Sequence, residues 1–133
     1  MILLDTHAAL WFTTDSAALG KKSRRITDHA LKDGQLAVSA ISFWEIALLA
    51  IKGRLRMIES ATETRRVVLG SGVIEVPLSG EIAVLAGELE NLHADPADRF
   101  IAATAIARNA LLVTADERLL RWRHPLRRHN AET

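Results

Sequence analysis

The apolar positions of this chain alternate between short runs and helical stripes. Met1 to Asp5 is an apolar run closed by an acid, and Thr6 to Phe12 then carries apolar residues at helical spacing, which predicts a strand followed by a helix. Ser16 to Lys32 reads as an amphipathic helix with Leu19, Ile26, Ala30 and Leu31 inward and Lys21, Lys22, Arg24 and Arg25 outward, stopped by Gly34. Gln35 to Val38 is the second strand. Ser39 caps a long apolar helix, Ala40 to Lys52, that ends at Gly53, and a more polar helix runs from Ser60 to Leu69. Val73 to Val76 is a strand closed by Pro77, and a helix from Glu81 to Leu92 follows it. Asp95 as N-cap with Pro96 at the first helical position opens a helix to Arg108; Leu111 to Thr114 is the fourth strand, and Asp116 caps a last helix. The tail from Arg121 to Thr133 is basic and has no clear apolar run, which leaves a final strand there open.

Strands alternating with helices imply an α/β fold, a parallel sheet covered on both faces. At 133 residues, 49% of them hydrophobic, the chain is expected to be one domain over residues 1–133. With no cysteine, disulfide and thiolate chemistry are excluded, and any metal must sit on oxygen or imidazole. The apolar stretches fall short of the ~20 residues that span a bilayer, and no basic leader precedes the first of them, so a soluble cytoplasmic protein without a membrane partner is expected. Seventeen basic against sixteen acidic residues give a net charge of +1, so attraction to nucleic acid must come from local clusters.

Ligands of open parallel sheets bind beyond the carboxyl ends of the strands, and four places there carry acids. Asp5 ends the first strand and Asp116 lies two residues past the fourth. Glu45 stands in the second turn of the helix after the second strand, and Asp98 in the first turn of the helix entering the fourth. Singly, Asp5 and Asp116 read as caps, Glu45 as a point on the polar stripe Ser42, Glu45 and Lys52, and Asp98 as a carboxylate favoured by the helix dipole. Asp95 is assigned to capping. Brought to one edge, the four carboxylates repel, by about 4 kcal/mol per pair ~4 Å apart at an effective dielectric of ~20, and something positive must compensate. With no cysteine and no HExxH pair, a hard divalent cation with oxygen ligands fits, Mg²⁺ or Mn²⁺. Such a site hydrolyses phosphodiesters. Thr6 and Thr114 add hydroxyls beside the acids, and Arg99 is read as a phosphate contact or as the ion-pair partner of a ligand acid. Arg121 and Arg123, with Arg127 and Arg128, form a basic cluster close behind Asp116 that is the expected guide for an RNA backbone; the cluster on Lys21 to Arg25 reads as a solvated face.

Other motifs fail. Asp15 stands where a P-loop ending in LGKKS needs its first glycine, and the GSG at Gly70 to Gly72 precedes a strand and lacks a third glycine. The histidines His7, His29, His93, His124 and His129 are dispersed, and none is given a role.

The ordered segments LLDTHAALW, SAISFWEIALL, DPADRFIAATAIARN and LVTADERL span almost the whole chain, and in that order they resemble a PIN-domain ribonuclease of the VapC toxin type. The family's acidic quartet maps onto Asp5, Glu45, Asp98 and Asp116. The resemblance implies a three-layer α/β/α sandwich around a parallel sheet and a Mg²⁺- or Mn²⁺-dependent endoribonuclease that acts as a homodimer. It also implies a cognate antitoxin whose C-terminal segment covers the active-site groove, and arrest of translation by free toxin. The chain departs from the family in its tail, since HPLRRHNAET is polar where relatives end in an apolar strand. Two other functions use the same residues: a non-catalytic RNA- or protein-binding module whose acids are only caps, and a metal-dependent phosphatase or DNA nuclease.

Overall fold

A computed structural model describes residues 1–53 and 60–133. Its centre is a parallel sheet in the order β3-β2-β1-β4-β5. The strands are β1 (Ile2–Leu4), β2 (Leu36–Ser39), β3 (Ile74–Val76), β4 (Leu111–Thr114) and β5 (Arg128–Asn130). The three central strands read as unbroken apolar runs because both their faces are covered, as parallel sheets require: Leu3, Leu36, Ala37, Val38, Leu112 and Val113 are fully buried. Among the described residues seven helices do the covering: α1 (Thr6–Thr13), α2 (Lys21–Lys32), α3 (Ile41–Ile51), α4 (Ala61–Gly70), α5 (Gly80–Glu88), α6 (Pro96–Ala107) and α7 (Glu117–Arg121).

Two cores result. On one face Leu3 and Leu112 pack against Ile82 and Ala86 of α5, Ile101 and Ala102 of α6, and Leu119 and Trp122. On the other Leu4, Val38 and Val113 pack against Ala8, Ala9 and Phe12 of α1, Ala30 of α2 and Val68 of α4. The three-layer sandwich expected from the sequence is therefore the observed architecture.

Most helix ends follow local rules. Side chains of Asp5, Ser60, Ser79, Asp95 and Asp116 accept the free N–H groups of α1, α4, α5, α6 and α7. Gly34 and Gly53 leave α2 and α3 at φ of 66° and 68°, a conformation cheap only for glycine.

Three boundaries differ from the expectation, each for a long-range reason. Helix α2 begins at Lys21 rather than Ser16, because Gly20 lies against the returning tail: its N–H donates to the Ala131 carbonyl at 2.9 Å, and a Cβ there would come within 2.2 Å of the Thr133 carbonyl carbon. Helix α5 ends at Glu88 rather than Leu92, where its last carbonyls are taken by a distant arginine described below. The tail does form a strand: β5 pairs with β4 in the register Leu112↔Arg128 and Thr114↔Asn130. Its side chains are half-buried on a sheet edge, so no apolar run is needed. Arg128 ties it down by donating to the carbonyls of Leu119 at 2.7 Å and Trp122 at 2.8 Å.

Candidate active site

Strand order reverses between β1 and β4: β2 and β3 lie to one side of β1, and β4 and β5 to the other. A crevice opens outside the carboxyl ends of two strands at such a switch point. Here it is a cavity of about 410 Å³, and Asp5, Glu45, Asp98 and Asp116 all line it, with Asp95, Thr6 and Arg118. All four acids grouped from the sequence therefore meet in one place.

Asp5 and Asp116 are caps and pocket residues at once. Asp5 Oδ1 accepts the Ala8 N–H at 2.8 Å, and its other oxygen, Oδ2, accepts the Thr114 hydroxyl at 2.5 Å. Asp116 Oδ1 accepts the N–H groups of Arg118 and Leu119, while Oδ2 faces the Arg118 guanidinium at 3.3 Å. Each helix thus fixes one carboxylate oxygen through its backbone, while a side chain, Thr114 or Arg118, meets the other. Thr114 joins the two acids, since its hydroxyl also accepts the Asp116 N–H at 3.0 Å. The Thr6 hydroxyl, which also borders the cavity, donates to Ser42 Oγ at 3.0 Å and pins the first turn of α3, one turn ahead of Glu45.

Asp98 lies in the first turn of α6, 8% exposed. Its Oδ2 faces His93 Nε2 at 2.6 Å and the Arg118 guanidinium at 3.4 Å. Neither partner was singled out from the sequence. Arg118 offered only its place two residues past Asp116 in the short helix α7. His93 offered only its place five residues before Asp98, across a turn whose geometry the sequence does not display.

Burial governs two of these acids, and hydrogen bonds govern the third. Burial pushes the Asp5 carboxyl above its ordinary range, the bonds from Thr114 and Ala8 oppose this, and Glu45 adds to it. Burial likewise pushes Asp98 up to about 6, against the pull of His93 and with the help of the Asp116 and Asp95 charges. At Asp116 burial also raises, but the bonds from the Arg118 side chain and the N–H groups of Arg118 and Leu119 outweigh it and hold the carboxyl below its ordinary value.

Arg99, offered as a phosphate contact or an ion-pair partner, is neither in this structure. Its guanidinium donates to the carbonyls of Ala86 at 2.9 Å, Leu92 at 2.8 Å and Leu89 at 2.7 Å, and closes the end of α5. Arg121 and Arg123 lie outside the acid cavity, in an adjoining groove of about 450 Å³ shared with Asn91, Arg118 and Trp122. Trp122 is 5% exposed with its indole N–H on the Glu90 carbonyl, so it packs rather than offering a stacking face.

Among the described residues no three carboxylates or imidazoles sit close enough to chelate one ion as they stand. The donor set nonetheless suits a hard divalent cation. It consists of carboxylate oxygens, and burial drives two of these carboxyls toward their neutral forms.

Fold and crevice together define an α/β protein with an acid-lined switch point. The PIN domain model matches residues 2–124, and the chain belongs to the PIN-domain family. It is 36% identical over 125 residues, 93% of each chain, to Ribonuclease VapC22 of Mycobacterium tuberculosis. Its fold is similar to that of a chain in the crystal structure of VapBC2 from Rickettsia felis bound to a DNA fragment from their promoter. That match has a TM-score of 0.69 and 21% identity, and covers 98% of both chains. A chain of the DNA-bound VapBC from Salmonella typhimurium is similar too, with a TM-score of 0.68 and 18% identity over 97% of this chain and 98% of that one.

Proposed function

We propose that residues 1–133 form one PIN unit that acts as a metal-dependent endoribonuclease, the toxin of a toxin–antitoxin pair. The observation that carries this is the meeting of Asp5, Glu45, Asp98 and Asp116 in one cavity at the sheet's switch point. The name of the mycobacterial relative, a ribonuclease, supports RNA as substrate, and the VapBC neighbours support a cognate antitoxin.

Asp5, Glu45, Asp98 and Asp116 are the residues that would hold Mg²⁺ or Mn²⁺. The ion, when bound, acidifies water and offsets charge on the phosphodiester under attack. The chain's own part is to present oxygens. The Ala8 N–H fixes one oxygen of Asp5, and the Thr114 hydroxyl aims the other. The Thr6 to Ser42 bond holds the turn of α3 that carries Glu45. Such bonds to ligating groups set orientation as much as the ligands themselves do. Cleavage of RNA in the cytoplasm accounts for arrest of translation, and no described helix is long and apolar enough to cross a membrane. Exposed Trp44 and Ile51 on α3 and Val67 on α4 support a protein-covered face there, for the antitoxin or a second copy of the chain.

The test is cleavage of total RNA with Mn²⁺ or Mg²⁺, with and without chelator, running the wild type beside Asp98→Asn, and repeating the assay on DNA and on a small phosphate ester. Metal-dependent cutting of RNA that the substitution abolishes is expected. Full cutting by Asp98→Asn sinks the proposal; preferential turnover of DNA or the ester reassigns the substrate.

A further inference from the structure

Arg118 belongs to two places. It faces Asp98 and Asp116 across the acid cavity, and it also lines the groove of Asn91, Arg121, Trp122 and Arg123. Its contacts to the acids are long, 3.4 and 3.3 Å, and its side chain is 57% exposed. Arg99, by contrast, sits on carbonyls at 2.7 to 2.9 Å. Hydrogen bonds at the long end of the range hold weakly, and nothing else fixes the guanidinium among the described residues. A divalent cation and a guanidinium on the same two carboxylates repel each other, so binding the cation loosens the guanidinium's hold.

The neighbouring groove, which Arg118 also lines, is basic. Arg123 has no acidic partner among the described residues, and Arg121 is paired only with Glu117, both largely exposed. Trp122 supplies a rigid floor, stacked on His124 with ring centroids 4.4 Å apart. A guanidinium fork suits a phosphate better than any other side chain does.

Resting on the reading of the four acids as a cation site, we propose that Arg118 is a displaceable counter-ion that becomes a phosphate contact. In the chain alone it holds the Asp116 carboxylate and reaches Asp98 at 3.4 Å. Once these carboxylates carry a divalent cation, it turns into the groove of Arg121 and Arg123 and binds the backbone of the RNA strand running away from the acids. Binding of the cation and exposure of a phosphate-binding arginine are then one event.

The test compares wild type, Arg118→Gln, Arg118→Lys and, as a charge control on the distant α2, Arg25→Gln. Mn²⁺ affinity is measured by calorimetry. Strand affinity is measured by fluorescence anisotropy with a hydrolysis-resistant single-stranded oligoribonucleotide (2′-O-methyl, phosphorothioate) in the presence of Mn²⁺. Arg118→Gln is expected to bind Mn²⁺ several-fold tighter and the oligonucleotide about tenfold weaker, with a salt dependence shallower by about 0.7 in log–log slope. Arg118→Lys keeps most of that slope, and Arg25→Gln changes neither affinity. Loss of both affinities in Arg118→Gln means a merely structural residue and overturns the proposal. Tighter Mn²⁺ with unchanged strand binding removes the phosphate contact and overturns it equally. If the wild type itself binds no Mn²⁺, the cation site fails and Arg118 falls with it; if only the variants behave as wild type, Arg118 alone fails.

Discussion

Glu63 on α4 and Glu75 on β3 each lie within hydrogen-bond reach of an arginine, Arg66 and Arg65, and those bonds hold both carboxyls below their ordinary range. Asp5 and Asp98 are buried, and burial drives both carboxyls upward. Yet no buried side-chain nitrogen or oxygen among the described residues lacks a hydrogen bond. The crevice is therefore satisfied in hydrogen bonds, while burial disfavours the charged forms of Asp5 and Asp98. Folding alone favours the first arrangement; buried carboxyls shifted upward inside a crevice are the pattern of a functional-site candidate.

The contrast breaks most sharply on substitution. Asp98→Asn is expected to lower metal-dependent RNA cleavage by on the order of 10²–10³-fold or more while leaving the chelated protein as stable as wild type or more so at pH 7. Glu75→Gln is expected to leave cleavage unchanged. Initial rates and thermal melts of the two variants side by side decide it. A destabilised Asp98→Asn would mean that the carboxylate is needed for the fold.

The second effect is the pH dependence of the chelated protein. Asp98 rises from 3.8 to about 6 on folding. Between those values the folded state holds a proton that the unfolded chain has lost, so stability falls as pH rises through this window. The loss is about 3 kcal/mol for a shift of this size, and Asp5 acts in the same direction. Urea titrations from pH 4 to 7 in chelator should show the decline, and Mn²⁺ at pH 7 should reverse it by binding the folded state alone. Flat stability across this range would mean that the two carboxyls are compensated in solution.

The caps and site positions of Asp5 and Asp116 were legible because each depends on neighbours in sequence: an acid just past a strand is both a cap and an occupant of the strand's carboxyl end. Asp95 with Pro96 marked the start of α6 for the same reason. Ser39, expected to cap α3, gives way to Ala40. What was not legible depends on contacts across the fold. Arg99 is next to Asp98 in sequence but points at α5, because successive residues of a helix lie about 100° apart. The start of α2 is set by Gly20 against the tail, some 110 residues away. Strand β5 escaped because a half-buried edge strand needs no apolar pattern once β4 offers it a ladder.

Arg99 gives the third effect, and it sharpens the comparison from the cationic side. Arg99→Met keeps much of the aliphatic stem but removes donors from the carbonyls of Ala86 in the last turn of α5 and of Leu89 and Leu92 beyond it. A destabilisation of about 2 kcal/mol is expected, with Mn²⁺ affinity unchanged at temperatures where the variant is folded. Loss of Mn²⁺ affinity in the folded variant would return Arg99 to the site.

The smallest effect closes the comparison at its exposed end. Arg65 meets Glu75 through two hydrogen bonds, 2.9 and 2.7 Å, yet the arginine is half exposed. Exposed pairs gain little, since water screens the attraction and ordering two long side chains opposes it. Arg65→Gln should therefore melt within error of wild type at physiological salt, with a small deficit appearing only at low ionic strength. Arg65 also lies over the Phe43 ring, 5.8 Å from its centroid. A salt-independent loss of stability would accordingly locate its contribution in that aromatic contact rather than in the ion pair.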